Sequence, residues 1–433
     1  MAGMAEELTP DDAHILALES EAIAGHTLKL IVLEPGSEPL DLEALRASVA
    51  ERLASTPRAR QRVARDANAR PCWADCEDFD IAAHVRRREL GAGAGEADLW
   101  REAGELMSQR LDHDRPLWTF DVVGPLDDGR EAIVARVHHA MADGISTVRF
   151  LGSVLWQPAA DPGPPAPKRR PAAAGEPEGK HHRLEELRRL PGALRRELGG
   201  HASESPLDRP VGSARELAFI AVPLGDLKAI GASRPGHVTV NDVLLAIVAG
   251  GLREWLGAAG RLPALRAQIP VSLHHRSEGA GELGNRDSFL NVDLPLDEAE
   301  PIARLDRIHA ETEERKQLGD AQELYDFFHA LARFKHLDRA VEHLAAEPRE
   351  FSLSISNVPG PRKEIAVAGR RVERLGSVAE PADRHALRVS AISCAGSVGV
   401  GLCTDPEALP NVAGFADALE RATDELRAAA GIE

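Results

Sequence analysis

The sequence predicts a mixed α/β fold in two domains, and three observations predict it. Short β-branched and aliphatic runs alternate with apolar stripes at helical spacing in both halves of the chain. The length of 433 residues exceeds one ordinary domain of about 150 residues. The stretch Gln157 to about Lys180, QPAADPGPPAPKRRPAAAGEPEGK, has no aliphatic side chain larger than Ala, the composition of an extended, solvated linker. The expected layout is an N-terminal domain over residues 1–156, a linker with a basic amphipathic segment over 157–204, and a C-terminal domain over 205–433.

The elements follow in order. Thr27–Leu33 (TLKLIVL) has the content of a strand, and Asp41 caps a helix with Leu42, Leu45, Val49 and Leu53 on one face. Leu117–Val123 and Ala132–Val137 are strands separated by the turn signal Leu126-Asp127-Asp128-Gly129. An apolar helix runs over Ile145–Trp156. Beyond the linker, Glu216–Val222 is a strand, and Thr239 opens a long helix through Trp255. Ala267–Leu273, Phe351–Ser356, Leu387–Cys394 and Ser397–Cys403 are strands, while Pro301–Leu318, Ala321–Leu344 and Val412–Ala429 are helices.

Composition excludes several classes of function. Hydrophobic content of 43% with 28% charged residues suits a soluble protein with sizeable cores. The balance of 52 Lys and Arg against 69 Asp and Glu, a formal charge of −17, argues against nucleic acid as a partner. The N-terminus has no basic stretch leading into an apolar run, and no apolar segment reaches the roughly 20 residues of a bilayer span. Cys72, Cys76, Cys394 and Cys403 are too few for a disulfide scaffold, and no second Cys/His pair at finger spacing accompanies the first two. A cytoplasmic chain with reduced thiols and no metal is the expectation. Paired carboxylates for glycoside chemistry, a glycine-rich phosphate loop and HExxH are not evident.

The sharpest local feature is Arg136-Val-His-His-Ala-Met-Ala-Asp-Gly-Ile-Ser146, an HHxxxDG pattern. At the end of a strand, His138 and His139 point to opposite faces, so one imidazole meets a cleft while the other packs. Asp143-Gly144 then turns the chain into the next helix, where Gly would accept backbone angles that other residues resist. A histidine with a pKa near its ordinary value of about 6.5 is mostly neutral at pH 7 and suits general-base work. It would take the proton of a hydroxyl or amine as that group attacks an activated acyl carbon. No GxSxG elbow accompanies it, so direct attack without an acyl-enzyme is the simpler mechanism.

With this motif the chain resembles the bacterial wax ester synthase/diacylglycerol acyltransferase family, part of the chloramphenicol acetyltransferase-like, condensation-domain superfamily. Leu8-Thr-Pro-Asp-Asp-Ala13 is similar to the family opening, and Leu111-Asp-His-Asp-Arg-Pro-Leu-Trp118 to its segment ending in PLW. Thr239-Val-Asn-Asp-Val-Leu-Leu-Ala246 is similar to its ND-containing helix start, and Ser356-Asn-Val-Pro-Gly-Pro361 to its NVPGP turn. The chain lacks the DFGWG of chloramphenicol acetyltransferases, and Asp208 stands where the family pattern leads one to expect Asn.

The resemblance implies two chloramphenicol acetyltransferase-like domains with a tunnel between them, joined by a crossover linker. It implies that His139 is the general base, that His138 is its structural neighbour, and that Asp143 orients the loop through an arginine, for which Arg276 is the candidate. Gly144, Asn241, Asp242, Pro116, Trp118 and Asn357 would line the substrate path, with Asn241 a donor to the oxyanion or a holder of the acceptor. Thr239-x-x-Asp242 is also a capping box, the structural alternative for Asp242.

The implied reaction is transfer of an acyl group from acyl-CoA, a substrate and not a cofactor, to diacylglycerol or a long-chain alcohol. Alternatives are a condensation-type transferase with a carrier-bound donor, acting on a polyketide or amine, and a catalytically silent lipid-binding member. Leu184, Leu187, Leu194 and Leu198 among arginines in 183–198 would lie on an anionic surface. Peripheral contact with the inner membrane face or a lipid droplet is the matching expectation.

Overall fold

A computed structural model describes residues 6–158, 205–257, 262–272, 287–318 and 351–432. In the first half of the chain the strands are β1 (Glu6–Glu7), β2 (His26–Leu33), β3 (Gln61–Arg65), β4 (Pro71–Asp75), β5 (Val85–Arg88), β6 (Trp118–Val123), β7 (Glu131–His138) and β8 (Gln157–Pro158). Helices α1 (Pro10–Ala17), α2 (Leu42–Arg52), α3 (Ile81–His84), α4 (Glu96–Ser108) and α5 (Gly144–Val154) lie among them. The second half supplies β9 (Glu216–Pro223), β10 (Leu265–Ser272), β11 (Asp287–Leu294), β12 (Leu353–Val358), β13 (Ile365–Val367), β14 (Arg370–Ala379), β15 (Leu387–Cys394) and β16 (Ser397–Thr404). Its helices are α6 (Leu224–Ala232), α7 (Val240–Gly257), α8 (Pro301–Leu318) and α9 (Val412–Ala429).

Two large sheets organise these elements. One has the order β5-β6-β7-β2-β14-β13-β8, the other β11-β10-β12-β15-β16-β9, and β1-β4-β3 form a small third sheet. The expected helix over Ala321–Leu344 and the linker beyond Pro158 lie outside the described residues.

β2 is buried along its whole length, which explains a continuous apolar run where an alternating one would mark a half-exposed strand. Its two faces feed different cores. Ile31 and Leu33 join Ile133, Ala135, Phe150 and Trp118, whereas Leu28, Leu30 and Val32 join Leu99, Ala103 and Leu106 of α4. A third core holds the second sheet to α7 and α9, with Val243–Ala249 almost entirely enclosed.

Strand pairing does not follow the halves of the chain. β13 and β14 come from the second half, yet β14 pairs antiparallel with β2, setting Leu375 opposite Ile31 and Ser377 opposite Lys29. The first two residues of the expected linker, Gln157 and Pro158, pair with Ala366 and Ile365 of β13. A proline is tolerated there because β8 is an edge strand, where a missing N–H breaks no ladder.

β13 covers only Arg370 and Arg371 of β14, so the rest of that strand turns its far edge to the second sheet. The carbonyls of Leu375 and Ser377 sit directly over Gly399 and Gly401 of β16, where any Cβ would overlap them. Edge meets face, and glycine is what permits the approach. Gly401→Ala should therefore destabilise the protein by about 2–3 kcal/mol through overpacking. The urea midpoint, compared with that of an alanine at the open Gly91, where φ is not left-handed, measures it.

Candidate active site

The HHxxxDG loop hangs from two backbone hydrogen bonds. The N–H of His138 donates to the carbonyl of Leu117 (3.0 Å) and that of His139 to Gly25 (2.8 Å). Past the strand the chain curls back, and the N–H groups of Met141 and Ala142 both donate to the His138 carbonyl (2.9 and 3.2 Å). The two imidazoles diverge as strand geometry requires. His138 lies on the face of β7 that carries Arg136, opposite His26 of β2.

His138 is held from both ends. Its Nδ1 accepts the N–H of Ala140 (3.1 Å), which puts the ring proton on Nε2, 2.8 Å from Glu19 Oε1. The same carboxylate oxygen lies 2.8 Å from His113 Nε2. Glu19, His113 and His138 thus converge with the makings of a metal-ligand set. Separations of 2.8 Å are those of direct hydrogen bonds, whereas tetrahedral bonds of about 2.0–2.1 Å to zinc would hold the ligand atoms farther apart. Burial pushes the Glu19 carboxyl up, but hydrogen bonds from the two histidines and their charge outweigh it and hold it at about 2. The hydrogen bond to Glu19 raises the pKa of His113, while burial lowers that of His138.

A second carboxylate, from the other half of the chain, fixes the residue from which His139 hangs. Glu380, buried just past β14, accepts the N–H groups of Ala24 (3.0 Å) and Gly25 (2.7 Å). Arg215, itself buried, stands 3.7 Å from it and also donates to the Ala22 carbonyl. Asp143 caps α5, with Oδ1 accepting the N–H of Ser146 (2.7 Å). It therefore orients the loop at least through the helix start, and the expected partner Arg276 lies outside the described residues. Gly144 has no left-handed φ, so the turn angle expected of it is not what requires glycine. Space is the requirement, since a Cβ there would stand 2.8 Å from Val358 Cγ2 at the end of β12.

That contact brings the motif against the second sheet beside Asn357. Asn357 Nδ2 donates to Asn241 Oδ1 (3.0 Å) at the start of α7, so these two predicted residues do meet. Asp242 is committed elsewhere. It exchanges capping-box hydrogen bonds with Thr239 (2.9 and 3.2 Å) and holds α8 through His309 (3.1 Å) and Thr312 (2.7 Å). Trp118 has no exposed surface to offer a ligand; its Nε1 donates to Ala59 and its ring packs on Phe120 and Phe150. Pro116 is buried in the same strap, whose Leu117 carbonyl supports His138.

His139 is half-buried, and its electrostatic surroundings are unusual. Burial pushes its pKa down to about 4, helped by the charges of Arg388 and Lys29 and opposed by Asp143. Sequence reasoning missed Lys29 and Arg388, along with Glu19, His113 and Glu380. Only Lys29 carried a visible signal, a lone cation inside an otherwise apolar buried strand.

The fold class is one shared with acyl-transferring and condensing enzymes. The first condensation domain of the CDA synthetase superposes with a TM-score of 0.63 at 17% identity, covering 99% of this chain and 97% of that one. The trichothecene 15-O-acetyltransferase of Fusarium sporotrichioides superposes with 0.65 at 14% identity, covering 98% and 95%.

Closer comparisons are specific. The model of the wax ester synthase/diacylglycerol acyltransferase catalytic domain matches residues 8–197, and that of the family's C-terminal domain matches residues 283–427. A Mycobacterium tuberculosis protein named as a diacylglycerol O-acyltransferase is 30% identical over 427 residues, 92% of this chain and 90% of its own. The wax ester synthase/diacylglycerol acyltransferase of Marinobacter aquaeolei superposes with a TM-score of 0.75 at 26% identity, covering 99% of this chain and 100% of that one. The chain belongs to the wax ester synthase/diacylglycerol acyltransferase family and is an acyltransferase.

Glu19→Gln keeps the shape of the histidine network but removes its charge. His113 should then titrate at a lower pH, read from its imidazole resonances, and stability should fall by about 1–3 kcal/mol. Because the folded carboxyl titrates below its unfolded value of 4.5, its stabilisation is present above that pH and is lost toward pH 2. The mutant's deficit should therefore shrink across that window in denaturant titrations.

Proposed function

We propose that the protein transfers a long acyl chain from acyl-CoA to a lipid hydroxyl, of diacylglycerol or of a long-chain alcohol, with His139 as general base. The observation that carries this reading is the setting of His139. Its backbone is fixed by Gly25, and the downward shift of its pKa keeps the imidazole neutral at pH 7. A neutral ring can accept the hydroxyl proton as the oxygen attacks the thioester carbonyl carbon.

The carbon–oxygen bond forms while the carbonyl becomes an oxyanion. Its collapse breaks the carbon–sulfur bond, and the protonated His139 returns the proton to the departing thiolate. Asn241 accepts from Asn357 through Oδ1 and keeps its own amide donors for that oxyanion. Coenzyme A leaves as the thiol, and no group remains on the protein.

The lipid substrates have to be drawn from a membrane or droplet surface. No helix of the described residues is long and apolar enough to cross a bilayer. The basic segment 183–198, outside the described residues, supports surface contact on its sequence. Flotation with anionic liposomes should weaken when Arg188, Arg189, Arg195 and Arg196 are replaced by Glu, and equal flotation removes that part of the reading.

Palmitoyl-CoA offered with hexadecanol and with dioleoylglycerol should yield ester, identified by lipid product analysis. His139→Ala should lower the rate by about 10²–10⁴-fold while leaving the melting temperature close to wild type. No ester from folded wild type with either acceptor overturns the reading, and turnover confined to a carrier-bound donor would identify a condensation-type enzyme. The pH profile gives a second test. With the base titrating near 4, kcat/KM should be flat through pH 6 and fall only toward pH 4, well below the limb of an ordinary histidine.

A further inference from the structure

Two cations face the space beside His139, and neither has a hydrogen-bond or ion-pair partner among the described residues. Lys29 is 2% exposed and sits on the face of β2 that carries Ile31 and Leu33, opposite Ala135 of β7 and Ser377 of β14. Arg388 comes from the second sheet, where β15 sets it opposite Ser354 of β12. Leu387, Val389 and Ala391 turn to the core behind that sheet, so Arg388 and Ser390 turn the other way, with Ile392. Ile392 packs in the same core as Ile31, Ala135 and Met141, so Lys29 and Arg388 turn into the space between the two sheets, and the charge of each acts on His139.

No hydrogen bond or ion pair joins the Lys29 ammonium or the Arg388 guanidinium to any described residue, and Arg388 Nε is buried without an acceptor. Asp143, the acid whose charge acts on His139, caps the start of α5. The floor around Arg388 is polar as well. Ser354 donates to Gln268 (3.2 Å) and Ser356 to Ser390 (3.2 Å), both across neighbouring strands of the same face.

A site built only for neutral lipids has no use for this. Burying a cation without a counter-charge opposes folding, and a protein normally pairs it or does without it. Lys29 is enclosed and Arg388 half-buried, and two such groups on facing sheets are balanced when a ligand brings the missing charge. The strain shows in both, since burial lowers Lys29 to about 8 and Arg388 to about 10. Both nonetheless stay protonated at pH 7.

We propose that Lys29 and Arg388 form a subsite for an anionic group, a carboxylate or a phosphate monoester, on the hydroxyl-bearing acceptor. The inference rests on the reading of His139 as the acyl-transfer centre for its placement on the acceptor, but the subsite itself can be tested without turnover. The preferred acceptor is then a lipid whose free hydroxyl lies near an acidic group, such as a monoacylglycerol phosphate or a hydroxy fatty acid.

Titration calorimetry on the full chain with decyl phosphate, decanoate and decanol separates charge from chain. Wild type should bind at least one of the two anions tenfold or more tightly than the alcohol, and the tighter anion names the natural head group. Lys29→Met and Arg388→Gln should each reduce the anion-to-alcohol ratio at least fivefold, judged as a ratio so that altered packing cancels. Methionine matches the lysine stem without its charge, and a cooperative melt checks that each variant folds. Equal affinity for the three ligands overturns the proposal, as does an anion preference that survives both substitutions.

Acyl transfer then separates the two claims. Lysophosphatidate or 3-hydroxypalmitate should show a lower KM than dioleoylglycerol in wild type, and a preference for dioleoylglycerol counts against an acceptor role. Ester from none of them would defeat the proposed reaction, while the calorimetric ratios would still decide the subsite.

Discussion

Everything at the site depends on one crossing, the edge of β14 laid on the face of β16. The strand belongs by pairing to the first sheet and by chain order to the second half, so it is the physical joint between them. Glycines at 399 and 401 let its carbonyls settle where side chains would hold the sheets apart. The joint divides the space between the sheets. On one side lie Lys29, the HHxxxDG loop and β15; on the other a cleft of about 200 Å³ lined by Trp100, Phe219 and Arg374. The chain reaches Glu380 one residue past β14, so the clamp on Gly25 follows from the same crossing.

The HHxxxDG loop is accordingly held by parts far apart in sequence. Leu117 supports His138, Gly25 supports His139, and Gly25 is itself gripped by Glu380. Glu19 steadies His138 from the opposite face. None of these groups needs to touch a substrate. Each removes a way for the loop to move, which is what the proposed general base His139 requires to meet a reacting hydroxyl in a fixed geometry.

Local signals were legible where local physics decides. α8 begins, and α9 begins and ends, at the residues their patterns indicate, and the capping residues Asp41 and Thr239 do cap. The HHxxxDG motif also stood out, since both the strand before it and the helix after it are strongly apolar. β14 was not legible. RRVERLGSVA has two glycine-permitted contacts and a half-exposed start, and its partner β2 lies at the other end of the chain. Long-range pairing leaves no periodicity in a single strand. α4 was missed as well, although Leu99, Ala103 and Leu106 repeat on one face and Asp98 receives the N–H of Gly95. Glu19 and Glu380 sit in ordinary loop sequence and acquire their roles only from what folds against them.

The cations and His139, the proposed base, cannot be independent of each other. Arg388 and Lys29 help burial to depress the pKa of His139, which leaves the histidine neutral but weakly basic. An anion between them would screen that field and add an opposing charge, and the His139 pKa would rise toward its ordinary value. A base whose pKa lies nearer the working pH accepts a proton more readily in the transition state. An acceptor carrying such a charge would therefore strengthen the base that activates its own hydroxyl, while a neutral acceptor would leave the base as it found it. Binding and basicity would then select the same substrate through one interaction.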